Sequence, residues 1–273
     1  MSSTTPLASL DLTPAPADAP RVGPLRRLVG LARANALLLT RNRMTLSYAL
    51  LLPLLPLTFL LAGDRGDTTA GTTAMSSVLM LGALFPVFYN LLSLVVTRRD
   101  ELVLKRLRTG EARDGEILLS MALPGVVAFV LISAVATVAL LALGQPAPAN
   151  PVVAIAAVLL GAAAFAGLAF WTAAWTRNAE AAQLTSMPVI LIAVVGNLRA
   201  VFPERLQPFV DLTPGAALDA LARAGWFGQD VEGAELSFAE TFTTAAEPLL
   251  VLAAWTALAV WLTLRTMRWE PRA

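Results

Sequence analysis

The chain has 273 residues, 57% of them hydrophobic and 14% charged, with a formal net charge of +1. A soluble globular domain carries about 25% charged residues, so that class is excluded, and the wealth of Leu, Val and Ala excludes a disordered or fibrous chain. There is no Cys, no His and a single lysine, Lys105, preceded by Leu104; this removes disulfides, thiolate chemistry, the commonest neutral-pH base and the phosphate-binding loop of an ATPase.

Residues 1–20 are Ser, Thr, Pro and Ala with two Asp. With no apolar run before a small-residue cleavage site, they read as a disordered cytosolic tail rather than a signal peptide. Region 21–43 predicts an amphipathic helix lying in the membrane surface. Pro24 can start it. Leu25, Leu28, Val29, Ala32, Ala36 and Leu39 share one face, while Arg26, Arg33 and Arg41 share the other with Arg27 at its edge.

Region 44–265 then predicts six membrane crossings, at 44–62, 74–97, 117–143, 152–175, 183–201 and 248–264. The strongest signal is a sixty-residue run, 117–176, without one charged side chain. At about 20 apolar residues per crossing it is long enough for two. Pro146, Pro148, Asn150 and Pro151 supply the turn between them. Pro53 and Pro56 should kink the first span.

Basic residues fix the orientation. Sixteen of the twenty fall in the N-terminal segment, in the loop 98–116, at Arg177 and in the tail 266–273 with Arg265; only Arg65, Arg199, Arg205 and Arg223 fall on the other side. Both termini are therefore expected in the cytoplasm. The last outer loop, 202–247, carries eight acidic residues. Within it Thr213-Pro214 opens an apolar stretch, 215–224, that predicts a short re-entrant helix. Ser237-Phe-Ala-Glu240 reads as a capping box leading into the sixth span.

The loop after span two is the most informative polar segment. Read as one helix over 98–110, it puts Arg98, Glu101, Lys105 and Arg108 on one face and Val103, Leu104 and Leu107 on the opposite one. Glu101 and Lys105 form an i, i+4 pair in the favourable order, and Gly110 suits the stop. Such a helix can pass force from a soluble partner into the membrane helices. The same features also suit a membrane scaffold or sensor module that docks a kinase or adaptor. The spans hold no His, Cys, Asp or Glu, which argues against an intramembrane enzyme.

Arg-Arg-Asp-Glu-Leu-Val-Leu-Lys-Arg-Leu-Arg-Thr (98–109), placed after the second of six spans, resembles the ABC-2 type permeases, most of all the daunorubicin-resistance-type subgroup of actinobacteria. The surface helix before span one, Phe202-Pro203 closing span five, and Asp211-Leu-Thr-Pro-Gly-Ala-Ala-Leu-Asp219 in the last outer loop fit the same family. The resemblance implies an all-α exporter of two permease chains, either two copies or a copy and a paralogue, and two separate ATPase subunits, which would hold the ATP and Mg. It implies a bacterial cytoplasmic membrane, no cofactor or metal on this chain and no nucleic acid. It makes Arg98, Glu101, Lys105, Arg106, Arg108 and Glu111 the ATPase-coupling candidates, and sets Arg26, Arg27 and Arg33 on the surface helix beside them. Spans two and five face the dimer axis in relatives, which points to Phe85, Tyr89, Asn90, Met187 and Asn197 as candidate pathway lining.

Ionisable residues inside spans usually mark ion or proton pathways, and these spans lack them apart from Arg199 at the outer end of the fifth. A hydrophobic or amphipathic cargo, a small molecule or lipid taken from the cytoplasm or inner leaflet, is therefore expected. Trp171, Trp175, Trp255, Trp261 and Trp269 lie near span ends, where interfacial anchoring accounts for them.

Overall fold

The computed structural model describes residues 23–41, 43–62, 66–109 and 112–270. The expected tail 1–20, the helix stop at Gly110, the coupling candidate Glu111 and residues 271–273 lie outside the described residues. Twelve α-helices run through the described chain: α1 Pro24–Arg41, α2 Arg43–Leu54, α3 Phe59–Ala62, α4 Thr68–Gly82, α5 Asn90–Asp100, α6 Val103–Arg108, α7 Asp114–Ala142, α8 Pro151–Trp175, α9 Ala181–Asn197, α10 Gln207–Asp211, α11 Pro214–Ala222 and α12 Phe238–Thr266. Among the described residues the only β feature is an isolated bridge between Gln229 and Glu235. The protein is all-α.

Four helices are long and apolar enough to cross a bilayer: the joined α4–α5 over Thr68–Asp100, and α7, α8 and α12. At 1.5 Å per residue the 33-residue α4–α5 helix is about 50 Å long, more than the roughly 30 Å hydrocarbon core, so both its ends project. The first expected span is broken into α2, a 3-10 turn over Leu55–Thr58 and α3, with Pro56 buried in the turn. A proline removes one backbone donor and clashes with the preceding turn, so two of them three residues apart split the helix rather than bend it. The fifth span is α9, an apolar helix of 17 residues. The sixth begins ten residues before its expected start, because the Ser237 capping box nucleates α12 at Phe238.

The ends of the helices sort into two groups. At one end Arg99 of α5 meets the C-terminus of α8, Arg27 of α1 meets Glu116 at the start of α7, and Lys105 of α6 meets Glu270 beyond α12. At the opposite end Gln145 donates to the Asp67 carbonyl before α4 (3.0 Å), and Asn150 before α8 donates to Thr241 near the start of α12 (2.8 Å). The joined α4–α5, α8 and α12 therefore run toward the first end, and α7 runs away from it.

α8 sits at the centre, packed against α5, α7, α9, α11 and α12. Its alanine-rich surface lets neighbours approach closely, which matters where no water is expelled to drive packing. Asn150 is its N-cap and is fully buried: its side-chain oxygen accepts from the amides of Val152 (3.0 Å) and Val153 (3.2 Å). The apolar stretch expected to re-enter is α11, capped by Thr213 and buried on most of its length among α4, α8, α9 and α12. Where it crosses α9 the two backbones touch. A Cβ on Gly215 would overlap the Ala193 carbonyl, and one on Gly196 would overlap the Ala216 amide.

Gly215→Ala should therefore lower stability by about 1–3 kcal/mol through forced separation of the two backbones. Gly30→Ala, where a Cβ meets nothing within 4 Å, should be neutral or stabilising. Thermal melts of the two variants in detergent compare them; an unchanged melt for Gly215→Ala would contradict the close crossing.

Candidate functional site

α5 ends in two arginines that point opposite ways. Leu92, Val95, Val96 and Arg99 recur at helical spacing and are all buried, Arg99 to 1% exposure. Its guanidinium donates to the carbonyls of Ala173 (2.8 Å), Thr176 and Arg177 (3.2 Å), the last turn of α8 and the residues beyond it. Terminal helix carbonyls have no partner within their own helix and carry partial negative charge, so a buried cation there satisfies both needs. Asp100 lies 3.8 Å from the same guanidinium.

Arg98 instead leaves the bundle sideways. It donates to the Asn35 side chain of α1 (3.1 Å), and Asn35 in turn donates to the Ser120 carbonyl of α7 (3.1 Å). Asn35 is 8% exposed and is the one buried residue of α1. Arg27, also on α1, forms an ion pair with Glu116 at 3.4 Å. These bonds tie α1 to α5 and α7. Leu28, Ala32, Ala36 and Leu39 face inward as their spacing predicts, whereas Leu25 and Val29 of the same expected face are exposed, as are Arg26 and Arg33. α1 meets the helix over Leu46–Leu61 at 80°.

The segment after α5 is not the single helix expected over 98–110. The helix stops at Asp100, Leu102 adopts a left-handed backbone (φ 60°), and α6 begins at Val103. That conformation costs a leucine roughly 1–2 kcal/mol. The turn it makes swings α6 so that Leu104 is fully buried, with Leu107 packed against the core. Burying a leucine is worth roughly 1.5–3 kcal/mol, enough to offset the strain. The break also removes the expected Glu101–Lys105 pair. Lys105 pairs with Glu270 (3.0 Å), and Arg108 sits 5.2 Å over the Trp269 ring and 3.4 Å from Asp114. Glu101, Lys105, Arg106 and Arg108 remain on the exposed side.

Of the candidate lining residues, Phe85, Tyr89 and Asn90 come together with Tyr48, Leu52 and Ser93 around a cleft of about 260 Å³. They fall on or beside a widened π-helical segment, Ala83–Tyr89, that follows from Pro86 inside the helix. Asn90 and Ser93 also border a neighbouring cleft of about 380 Å³ between α1, α5 and α7, whose lining includes Asn35, Arg98 and Glu101. Met187 and Asn197 lie on α9 and are not among the lining residues of either cleft. Met187 is exposed; the Asn197 side-chain oxygen is buried. Among the described residues no group of three or more Asp or Glu could hold a metal ion.

Arg99, Asn35 and Glu116 were not among the expected site residues. For two of them a signal existed. Arg99 falls three and four residues after Val96 and Val95, and Asn35 falls between Leu28, Ala32 and Leu39 on an apolar face. A polar residue on a buried face needs a partner, and that requirement marks both.

Four helices long and apolar enough to cross a bilayer, packed around the central α8, define a multi-pass membrane protein. The chain belongs to the ABC-2 type transporter family, which matches residues 26–196, from the start of α1 almost to the end of α9. The domain of that family is a transmembrane component rather than an ATPase, and membership implies a partner ATPase and a lipid surround. No curated protein matches the chain.

Arg99→Gln should cost about 2–4 kcal/mol, since it removes a charge-assisted cap from buried carbonyls; Arg98→Gln, which loses one half-buried bond, should cost about 1 kcal/mol. Melting temperatures in detergent decide the order. Equal losses would mean that the cap on α8 is not the anchor of this end.

Proposed function

We propose that this chain is the permease subunit of an ATP-driven exporter of the daunorubicin-resistance type, with six crossings and both termini in a bacterial cytoplasm. On this reading the first span and the 17-residue α9 are the first and fifth crossings, and a crossing by α9 accounts for α8 and α12 running parallel. Two copies of the chain, or the chain and a paralogue, assemble with two ATPase subunits that carry the ATP and Mg. The cargo is a hydrophobic or amphipathic compound or lipid leaving the cytoplasm or inner leaflet. The cleft at Phe85, Tyr89 and Asn90 belongs to its path, and Met187 and Asn197 on α9 face the second permease.

One observation carries this reading: α6 is a six-residue helix held at the end of the bundle by its buried Leu104, with Glu101, Lys105, Arg106 and Arg108 turned outward. A helix fixed on its apolar side and charged on the other is built to be pushed. Its neighbours support the reading, since Arg98 ties the preceding α5 through Asn35 to α1 and Lys105 of α6 pairs with Glu270 in the tail of α12.

Charge reversal at Glu101, Arg106 and Arg108 together should abolish co-purification of the ATPase and ATP-dependent transport, while the variant alone melts within about 1 kcal/mol of the native chain. The native chain alone should hydrolyse no ATP. Retention of the ATPase at the native ratio by the triple variant would remove α6 as the docking element.

A further inference from the structure

The ends of α8 and α12 border a cleft of about 640 Å³ lined by Trp171, Trp175, Arg265, Met267 and Arg268 among others. No carboxylate is among its lining residues. Trp171 and Trp175 pack edge to face at 4.8 Å, and the Arg265 guanidinium lies 4.3 Å over the Trp261 ring. Trp175 and Trp261 are about half exposed. Leu258, Trp261 and Leu264 follow one another at three-residue spacing and are all exposed, so an apolar strip of α12 leads away from the cleft along the helix.

The C-terminus of a helix ordinarily repels anions, because its last carbonyls point outward. At α8 those of Ala173, Thr176 and Arg177 are taken up by the buried guanidinium of Arg99. Arg99 thus offsets the carbonyl end of α8, while Arg265 and Arg268 stand at the carbonyl end of α12 and offset that one. Arginine binds phosphate oxygens in a bidentate fork, and tryptophan settles at the level of lipid headgroups.

We propose that this cleft binds the headgroup of an anionic phospholipid, the phosphate on Arg265 and Arg268 and an acyl chain along Trp261 and Leu264. Two positive charges with no acid beside them favour a net-negative headgroup over a zwitterionic one, whose ammonium would find no partner in the lining. The site faces lipid at the end of α12 and does not depend on what the permease carries.

The tryptophans beside the cleft supply the probe. The full chain is reconstituted in phosphatidylcholine vesicles titrated with either brominated phosphatidylglycerol or brominated phosphatidylcholine, and tryptophan fluorescence is recorded. The phosphatidylglycerol should reach half-maximal quenching at roughly twentyfold lower mole fraction. Each arginine removed should weaken that preference about fivefold, so Arg268→Gln reduces it and Arg265→Gln with Arg268→Gln abolishes it. Arg268→Gln leaves the Arg265–Trp261 contact in place and serves if the double variant fails to fold. Equal quenching of the native chain by both lipids, or an undiminished preference in the Arg268→Gln variant, would overturn the proposal.

Discussion

A guanidinium 1% exposed at the end of an apolar helix is stable only where protein oxygens replace the water it has lost. Arg99 finds them at the end of α8, and α8 finds in Arg99 the donors its last carbonyls lack. Each group is costly to bury alone, and together they fix the distance between α5 and α8. The rest of the basic end is arranged around this bond. Arg98, one residue earlier, is forced to the opposite flank by the 100° step of the helix and reaches Asn35 on α1. One dipeptide thus joins the centre of the bundle to its outermost helix.

The break at Leu102 depends on the same anchor. Had the helix continued past Asp100, Leu104 and Leu107 would have projected from the bundle into solvent. A left-handed residue at the break folds α6 back so that Leu104 is buried and the charged residues face out. The strain sits at an exposed leucine and the gain at a buried one. The two terms are of similar size and opposite sign, so the position of α6 rests on a small difference between them.

Much of the fold was legible in the chain. The charge-free run 117–176 gave α7, its proline-rich turn and α8; the Ser237–Glu240 box gave the start of α12; the apolar stretch after Pro214 gave α11. These depend on local length, period and capping, which sequence carries directly. The pairing of the site was less legible. Lys105 has an acid four residues before it, and nothing local says that it will pair with Glu270 instead, 165 residues on. The competing choice was decided by Leu102, a residue with no preference for the backbone it adopts. Arg98 and Arg99 are chemically identical neighbours, and only the apolar positions before them tell which one is buried. In the first span the prolines were visible, but whether two of them bend or break a helix depends on what the freed carbonyls meet.

The two ends of the molecule are built on different chemistry, and α8 connects them. At the basic end its carbonyls are held by an arginine; at the other its first amides are held by Asn150, whose backbone amide donates to the Gly225 carbonyl (2.9 Å) and whose side chain reaches Thr241 on α12. Trp226 closes the same corner by donating to Thr137 of α7 (2.9 Å). α8 is thus bonded at one end to α5 and at the other to α12 and the segment after α11. Neutral bonds at that end and an ionic anchor at the other give α8 a tight hold on both sides without placing a charge in mid-span.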